Sequence, residues 1–203
     1  REPIVPKVTG ALKLAITWQM SFLYAIVFGG FVAFSTYLPK YLMTVYPHEV
    51  DPVGAGTRTA MFAVAAVIAR PIGGVLADRF GPKAISLLSL AGIVAAAYIV
   101  GQEPPEGVVT GITFLLMAAA MGLGMGGVFA WVGPSTPPDK VGAVTGVVAA
   151  AGGLGGYFPP LVMGATYQAQ TNSYWLGLWL LVLVGAGALV VAGMLRDARA
   201  KKA

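Results

Sequence analysis

The chain has 203 residues, 57% of them hydrophobic and 10% charged, with 28 glycines and a mean hydropathy of +0.79. A soluble core has no room for that much apolar surface, so the composition describes an all-α integral membrane protein. The lack of cysteine excludes a disulfide framework and a thiolate metal site, and although the net charge is +5 the basic residues are spread over loops rather than gathered into a nucleic-acid patch.

Residues 1–15, which include REPIVPKVTGALK, read as a cytoplasmic lead-in in loop form, since a signal peptide would show a short apolar core and a cleavage site. Residues 16–195 hold six apolar stretches, near 16–45, 57–78, 83–101, 108–132, 141–167 and 174–195. Each covers the roughly 20 residues needed to cross about 30 Å of hydrocarbon. Residues 196–203 form a basic tail. Lys7, Lys13, Arg79, Lys83, Lys140 and the tail cations fall on one side of these spans, whereas the opposite loops carry Glu49, Asp51, Glu103 and Glu106. The positive-inside rule therefore places both termini in the cytoplasm of a plasma-membrane protein. Lys40 and Arg58 lie near outer helix ends, where snorkelling is cheap. His48 is a loop residue, and most of the tryptophans lie near the interfaces.

In the first span Tyr24 and Phe28 stand four residues apart and share one helix face, which Phe31 continues. Such a stripe serves packing or a ligand. The second span holds Arg70 in AVAAVIARPIGGVLAD. A guanidinium keeps its proton in a protein, and insertion scales charge roughly 2.5–3.5 kcal/mol for Arg at the centre of a membrane helix. No carboxylate lies in the interior of any span. An internal salt bridge within this chain is therefore excluded, which points to a small anion as the partner of Arg70.

Between the second and third spans runs GGVLADRFGPK, residues 73–83. Gly81 supplies the freedom a tight turn needs, Gly74 allows close helix approach, Asp78 pairs with basic groups or helix ends, and Arg79 and Lys83 hold the loop at an anionic leaflet. The fourth and fifth spans are glycine-rich. The pairs 122/126 and 142/146 clear a helix face, for which packing is a sufficient reason. Gly152, Gly153, Gly155 and Gly156 are more than packing requires, because each costs roughly 1 kcal/mol in helix propensity against alanine. Pro159 and Pro160 follow and kink the fifth span.

The 73–83 segment resembles motif A of the major facilitator superfamily, G-x-L-A-D-R-x-G-R-K, with Pro82 in place of the first closing Arg. That resemblance implies a cytoplasmic gating motif formed by Gly74, Asp78, Arg79, Gly81 and Lys83. It also implies one half of a twelve-helix transporter, built of two inverted three-helix repeats. The lead-in is similar to the central loop of such a transporter and the tail to its C-terminus. The implied identity is the C-terminal half, partnered by an N-terminal six-helix half in the same or a separate chain.

The run AAAGGLGGYFPP, residues 149–160, is similar to the second nitrate signature of the nitrate/nitrite porter family. By that resemblance Arg70 is this half's member of an anion clamp, with Tyr24, Phe28 and the glycines at 152, 153, 155 and 156 lining the site. The chemistry agrees, since a planar guanidinium offers parallel donors to two oxygens of planar nitrate. The expected cargo is nitrate or nitrite, moved by exchange without a cofactor, because no titratable carboxylate or histidine lies within the spans. Proton-coupled nitrate uptake, or a facilitator half for another small or organic anion, stays open. An enzyme is disfavoured: the sequence holds no nucleophile-base pair, metal-ligand spacing or phosphate-cradling loop.

Overall fold

A computed structural model of the chain describes residues 4–195. Among them are eight helices: α1 (Ile4–Leu12), α2 (Ala15–Val45), α3 (Pro52–Phe80), α4 (Pro82–Gly101), α5 (Val108–Ser135), α6 (Val141–Gly155), α7 (Phe158–Thr166) and α8 (Trp175–Met194). Taken with α6 and α7 as one span, six stretches are long and apolar enough to cross a membrane. The expected spans are all present. α3 begins about one turn earlier than expected because Asp51 caps it, accepting a hydrogen bond from the Gly54 N–H at 2.8 Å, and Pro52 starts its first turn. The basic tail from Arg196 lies outside the described residues.

The loop expected at the start of the chain is corrected, since Ile4–Leu12 is helical. A nine-residue helix is marginal alone, and this one is held from outside. The Thr17 hydroxyl donates to the Ala11 carbonyl at 2.7 Å and the Trp18 indole N–H to the Leu12 carbonyl at 2.9 Å, satisfying carbonyls at its C-terminus. Ala11 is fully buried, and α1 also rests on α6.

The break between α6 and α7 lies just ahead of Pro159 and Pro160. These prolines lack the N–H groups that would bond to the Gly155 and Gly156 carbonyls, so the ladder stops there. The chain tightens first: the Gly156 N–H reaches the Gly153 carbonyl at 3.2 Å and the Tyr157 N–H reaches that of Leu154 at 3.1 Å.

Glycine sets two close helix pairings. α3 lies on α5, where a side-chain carbon added at Gly73 would strike the Leu123 backbone and one added at Gly122 the Ala66 carbonyl. α2 lies on α6, where the same addition at Gly29 would stand 2.6 Å from the Gly155 carbonyl carbon. Between α4 and α5 the Ser89 hydroxyl donates to the Ala120 carbonyl at 2.7 Å. Buried Met117, Met121, Met125 and Val128 of α5 make that helix the centre of the bundle. α3 and the α6–α7 span keep the most open faces, 28% and 22% buried against 56% for α5.

The end of the bundle with the acidic loops is tied shut. Ser173 donates to Glu103 Oε2 and the Tyr174 N–H to Glu103 Oε1, both at 2.7 Å, which locks the α4–α5 loop to the α7–α8 loop. The Tyr46 phenol donates to the Pro104 carbonyl at 2.6 Å, and burial raises its pKa, so it remains a donor. Arg58 forms an ion pair with Glu106, and the Lys40 ammonium lies 5.9 Å from the Tyr37 ring centre. These two cations are anchored by partners as well as by their position near helix ends.

Candidate functional site

Arg70 is placed by α3, a 29-residue helix that continues through Pro71. At 1.5 Å per residue the side chain leaves the helix about 15 Å from the Phe80 end, well inside the span. Among the described residues Arg70 has no carboxylate partner. Its contacts are neutral: Nη2 donates a long hydrogen bond to the Tyr24 hydroxyl at 3.4 Å, and its guanidinium carbon lies 5.9 Å from the Phe129 ring centre. The side chain is exposed on the open flank of the bundle, and among the described residues Tyr24 is the one hydrogen-bond partner given to its five donors.

The aromatic stripe of α2 forms the wall beside it. Tyr24 and Phe28 are stacked, 5.3 Å between centroids and 8° between planes. Phe129 of α5 tilts onto Tyr24 at 4.6 Å, and Phe31 extends the column to Phe62 of α3. Tyr24 is buried while its hydroxyl meets the guanidinium. The rings hold Arg70 by one edge and over one face, which favours a planar ligand on the other.

The glycine cluster divides its work. Gly152 lies under the rings: an added side-chain carbon would strike the Tyr24 ring and stand 3.1 Å from Phe28. Gly155 and Gly156 open the approach of α6 to α2, with Ala25 and Val32 at 2.7 and 2.8 Å from the same built position. Gly153 faces open space. Arg70, Tyr24, Phe28 and Gly152 therefore form one constellation, beside which the other three glycines set helix spacing or border the open flank.

At the other expected cluster, Gly81 has φ 102°, a conformation that suits glycine, and it joins α3 directly to α4 with Pro82 opening the new helix. Lys83 donates to the Gly193 carbonyl at 2.8 Å and to that of Leu195, so it caps the C-terminus of α8. The Arg79 guanidinium carbon lies 5.2 Å from the Phe80 ring centre. The close helix approach expected at Gly74 is made by its backbone, and the neighbouring Gly73 is the glycine whose added side chain would strike α5. Gly74's own missing side chain would meet nothing within 4 Å, but its backbone N–H lies under Gly126.

Sequence reasoning missed Phe129. A signal was present, because Gly122, Gly126 and Phe129 follow the i, i+4, i+7 rule and share one face of α5. The groove that admits α3 ends on the ring beneath Arg70.

A model of the Major Facilitator Superfamily matches residues 20–203. The chain is similar to the probable nitrate/nitrite transporter NarK2 of Mycobacterium tuberculosis, 56% identical over 181 residues, covering 89% of this chain and 45% of that protein. It is 38% identical over 176 residues to the nitrite extrusion protein of Bacillus subtilis, covering 87% and 43%. With the probable nitrate/nitrite antiporter NarK1 of Thermus thermophilus the figures are 35% over 196 residues, 86% and 43%. The chain spans about half the length of these relatives.

Proposed function

The chain belongs to the major facilitator superfamily, and on that premise we propose that it is the C-terminal six-helix half of a plasma-membrane carrier, not an enzyme, that exchanges nitrate for nitrite by alternating access. The observation that carries this reading is Arg70, a permanent cation inside a membrane span whose neighbours are a phenol and rings rather than a carboxylate. Nitrate is planar, monovalent and weakly hydrated. A guanidinium meets two of its oxygens with parallel N–H donors, the Tyr24 hydroxyl adds a donor to one of them, and the Phe28 ring stacked beside Tyr24 gives the flat anion an apolar wall. A second cation comes from the other six-helix half, against the open faces of α3 and α6. Both ends of the chain lie in the cytoplasm in this reading, and the 74–83 motif gates that side.

Exchange also suits the break at Gly155–Phe158. Two short helices joined by a turn let α6 follow α2 without dragging α7, so the wall of Gly152 moves with Tyr24 while the Glu103 contacts that join the acidic loops of this half are kept. The test is counterflow in liposomes holding the complete transporter and a pH-sensitive dye. Internal nitrite is expected to drive uptake of external nitrate with no change in internal pH. Nitrate uptake that needs no internal anion and acidifies the lumen would replace exchange by proton coupling. Failure of both anions to be carried would sink the substrate assignment.

The same preparation tests the ring wall. Gly152→Ala inserts a methyl group into the Tyr24 ring, an overpacking worth about 1–3 kcal/mol. Nitrate affinity is expected to fall roughly 5- to 150-fold, as read by the half-saturating concentration for exchange. An unchanged value would remove Gly152 from the site.

A further inference from the structure

α2 carries different things on its two sides. Tyr24, Phe28 and Phe31 face Arg70, whereas Phe22, Ile26 and Gly30 lie on roughly the opposite side at about 100° per residue. On that far side is a cavity of about 260 Å³. Every residue lining it is apolar, with Ile26 of α2, Ala97 of α4, Met117 and Met121 of α5, and Leu181 and Val184 of α8 among its walls. It also reaches the helix break, where Gly155, Phe158 and Pro159 complete the wall.

Water gains nothing in such a space, because an apolar cavity offers it no hydrogen-bond partners. Leaving it empty forfeits dispersion contacts along every wall. Phe22, Phe158 and Val184 line it and are exposed on the perimeter, so the space communicates with the hydrocarbon around the spans. α3, whose open flank carries Arg70, contributes no wall. A partner half seated on α3 and α6 meets the cavity only at Gly155 of those two helices, so the mouth at Phe22 of α2 and Val184 of α8 stays turned to lipid.

We propose that this cavity is a binding site for one acyl chain of a membrane phospholipid. The apolar solvent around the spans is lipid hydrocarbon, and the all-apolar wall offers a polar ligand no partner. The bound chain presses on the α6–α7 break from the side opposite the aromatic stripe. It thereby braces the turn whose preceding residues, Gly152 to Gly155, set the distance of α6 from Tyr24. The inference holds whatever ion the carrier moves.

The test is photolabelling of the complete transporter in nanodiscs with a phosphatidylcholine bearing a diazirine at mid-chain, followed by peptide mapping. Met117 and Met121 are almost fully buried and out of reach of lipid on the outer surface, so label on their peptide at those two residues is the expected result. Val184→Trp narrows the mouth and is expected to cut that label about tenfold, while label on exposed Leu183 and Val190 stays as before. Ala97→Leu, which fills the cavity from within, is expected to act in the same direction. Label confined to outward-facing side chains in the unmodified protein would overturn the proposal. So would label at Met117 from a headgroup-free adamantyl diazirine but not from the lipid, which would assign the cavity to free apolar molecules.

Discussion

Replacing Arg70 by lysine in the complete transporter is expected to lower nitrate–nitrite exchange by roughly 10- to 100-fold, the equivalent of about 1.5–3 kcal/mol for a hydrogen bond to a charged group. The substitution keeps the positive charge in the span, so a purely electrostatic role predicts little change. It removes the planar fork, the edge that reaches the Tyr24 hydroxyl at 3.4 Å and the flat cation over Phe129 at 5.9 Å. An ammonium is a compact, strongly hydrated point charge that shares none of those three features. Tyr24→Phe is the milder companion: it leaves the stack on Phe28 intact and removes one neutral donor, worth about 0.5–1.5 kcal/mol. The expected order is therefore unmodified protein, Tyr24→Phe, Arg70→Lys, with Arg70→Ala lowest. Exchange by Arg70→Lys equal to that of the unmodified protein would make the bidentate contact wrong even if the cargo is right.

The spans were legible because hydrocarbon thickness imposes one length on every crossing helix, and Gly81 was legible because only a turn of that kind joins two antiparallel spans without a loop. The pairing of Arg70 with Tyr24 came from the resemblance to the porter family, because a lone cation and a face spacing by themselves left packing open as the use of the stripe. What stayed hidden depends on contacts between elements. α1 carries no length signal and is held by Thr17 and Trp18 from the next helix. Lys83 reads as a lipid-facing loop cation, yet its ammonium reaches carbonyls 110 residues along the chain. Phe129 lies in a glycine run whose apparent purpose is packing, and its ring acquires meaning only when α3 is laid on α5. Proline announced the interruption of the fifth span but not its place, since the missing N–H groups release carbonyls up to four residues earlier.

Packing and site are not separable on that α3–α5 face, and Gly126→Val is expected to show it. A side-chain carbon at Gly126 would fall inside contact distance of the Arg70 carbonyl oxygen and of the Gly74 nitrogen. These are backbone atoms of a helix that is itself pinned at Gly73 against Leu123 and by Gly122 under Ala66. No rotamer change relieves such a clash, so the cost exceeds the roughly 1–3 kcal/mol usual for overpacking. α3 must then either separate from α5 or slide along it. Separation predicts loss of folded transporter, read as a lower Tm and a lower yield of monodisperse protein. Sliding predicts a folded protein in which Arg70 has left the Phe129 ring, so that nitrate affinity falls with no residue of the ring wall replaced. Gly187→Val on α8, where the added carbon would meet nothing within 4 Å, is expected to leave both readouts alone. A Gly126→Val protein with unmodified Tm and unmodified affinity would mean that α3 is not held where Arg70 needs it by the glycines of α5.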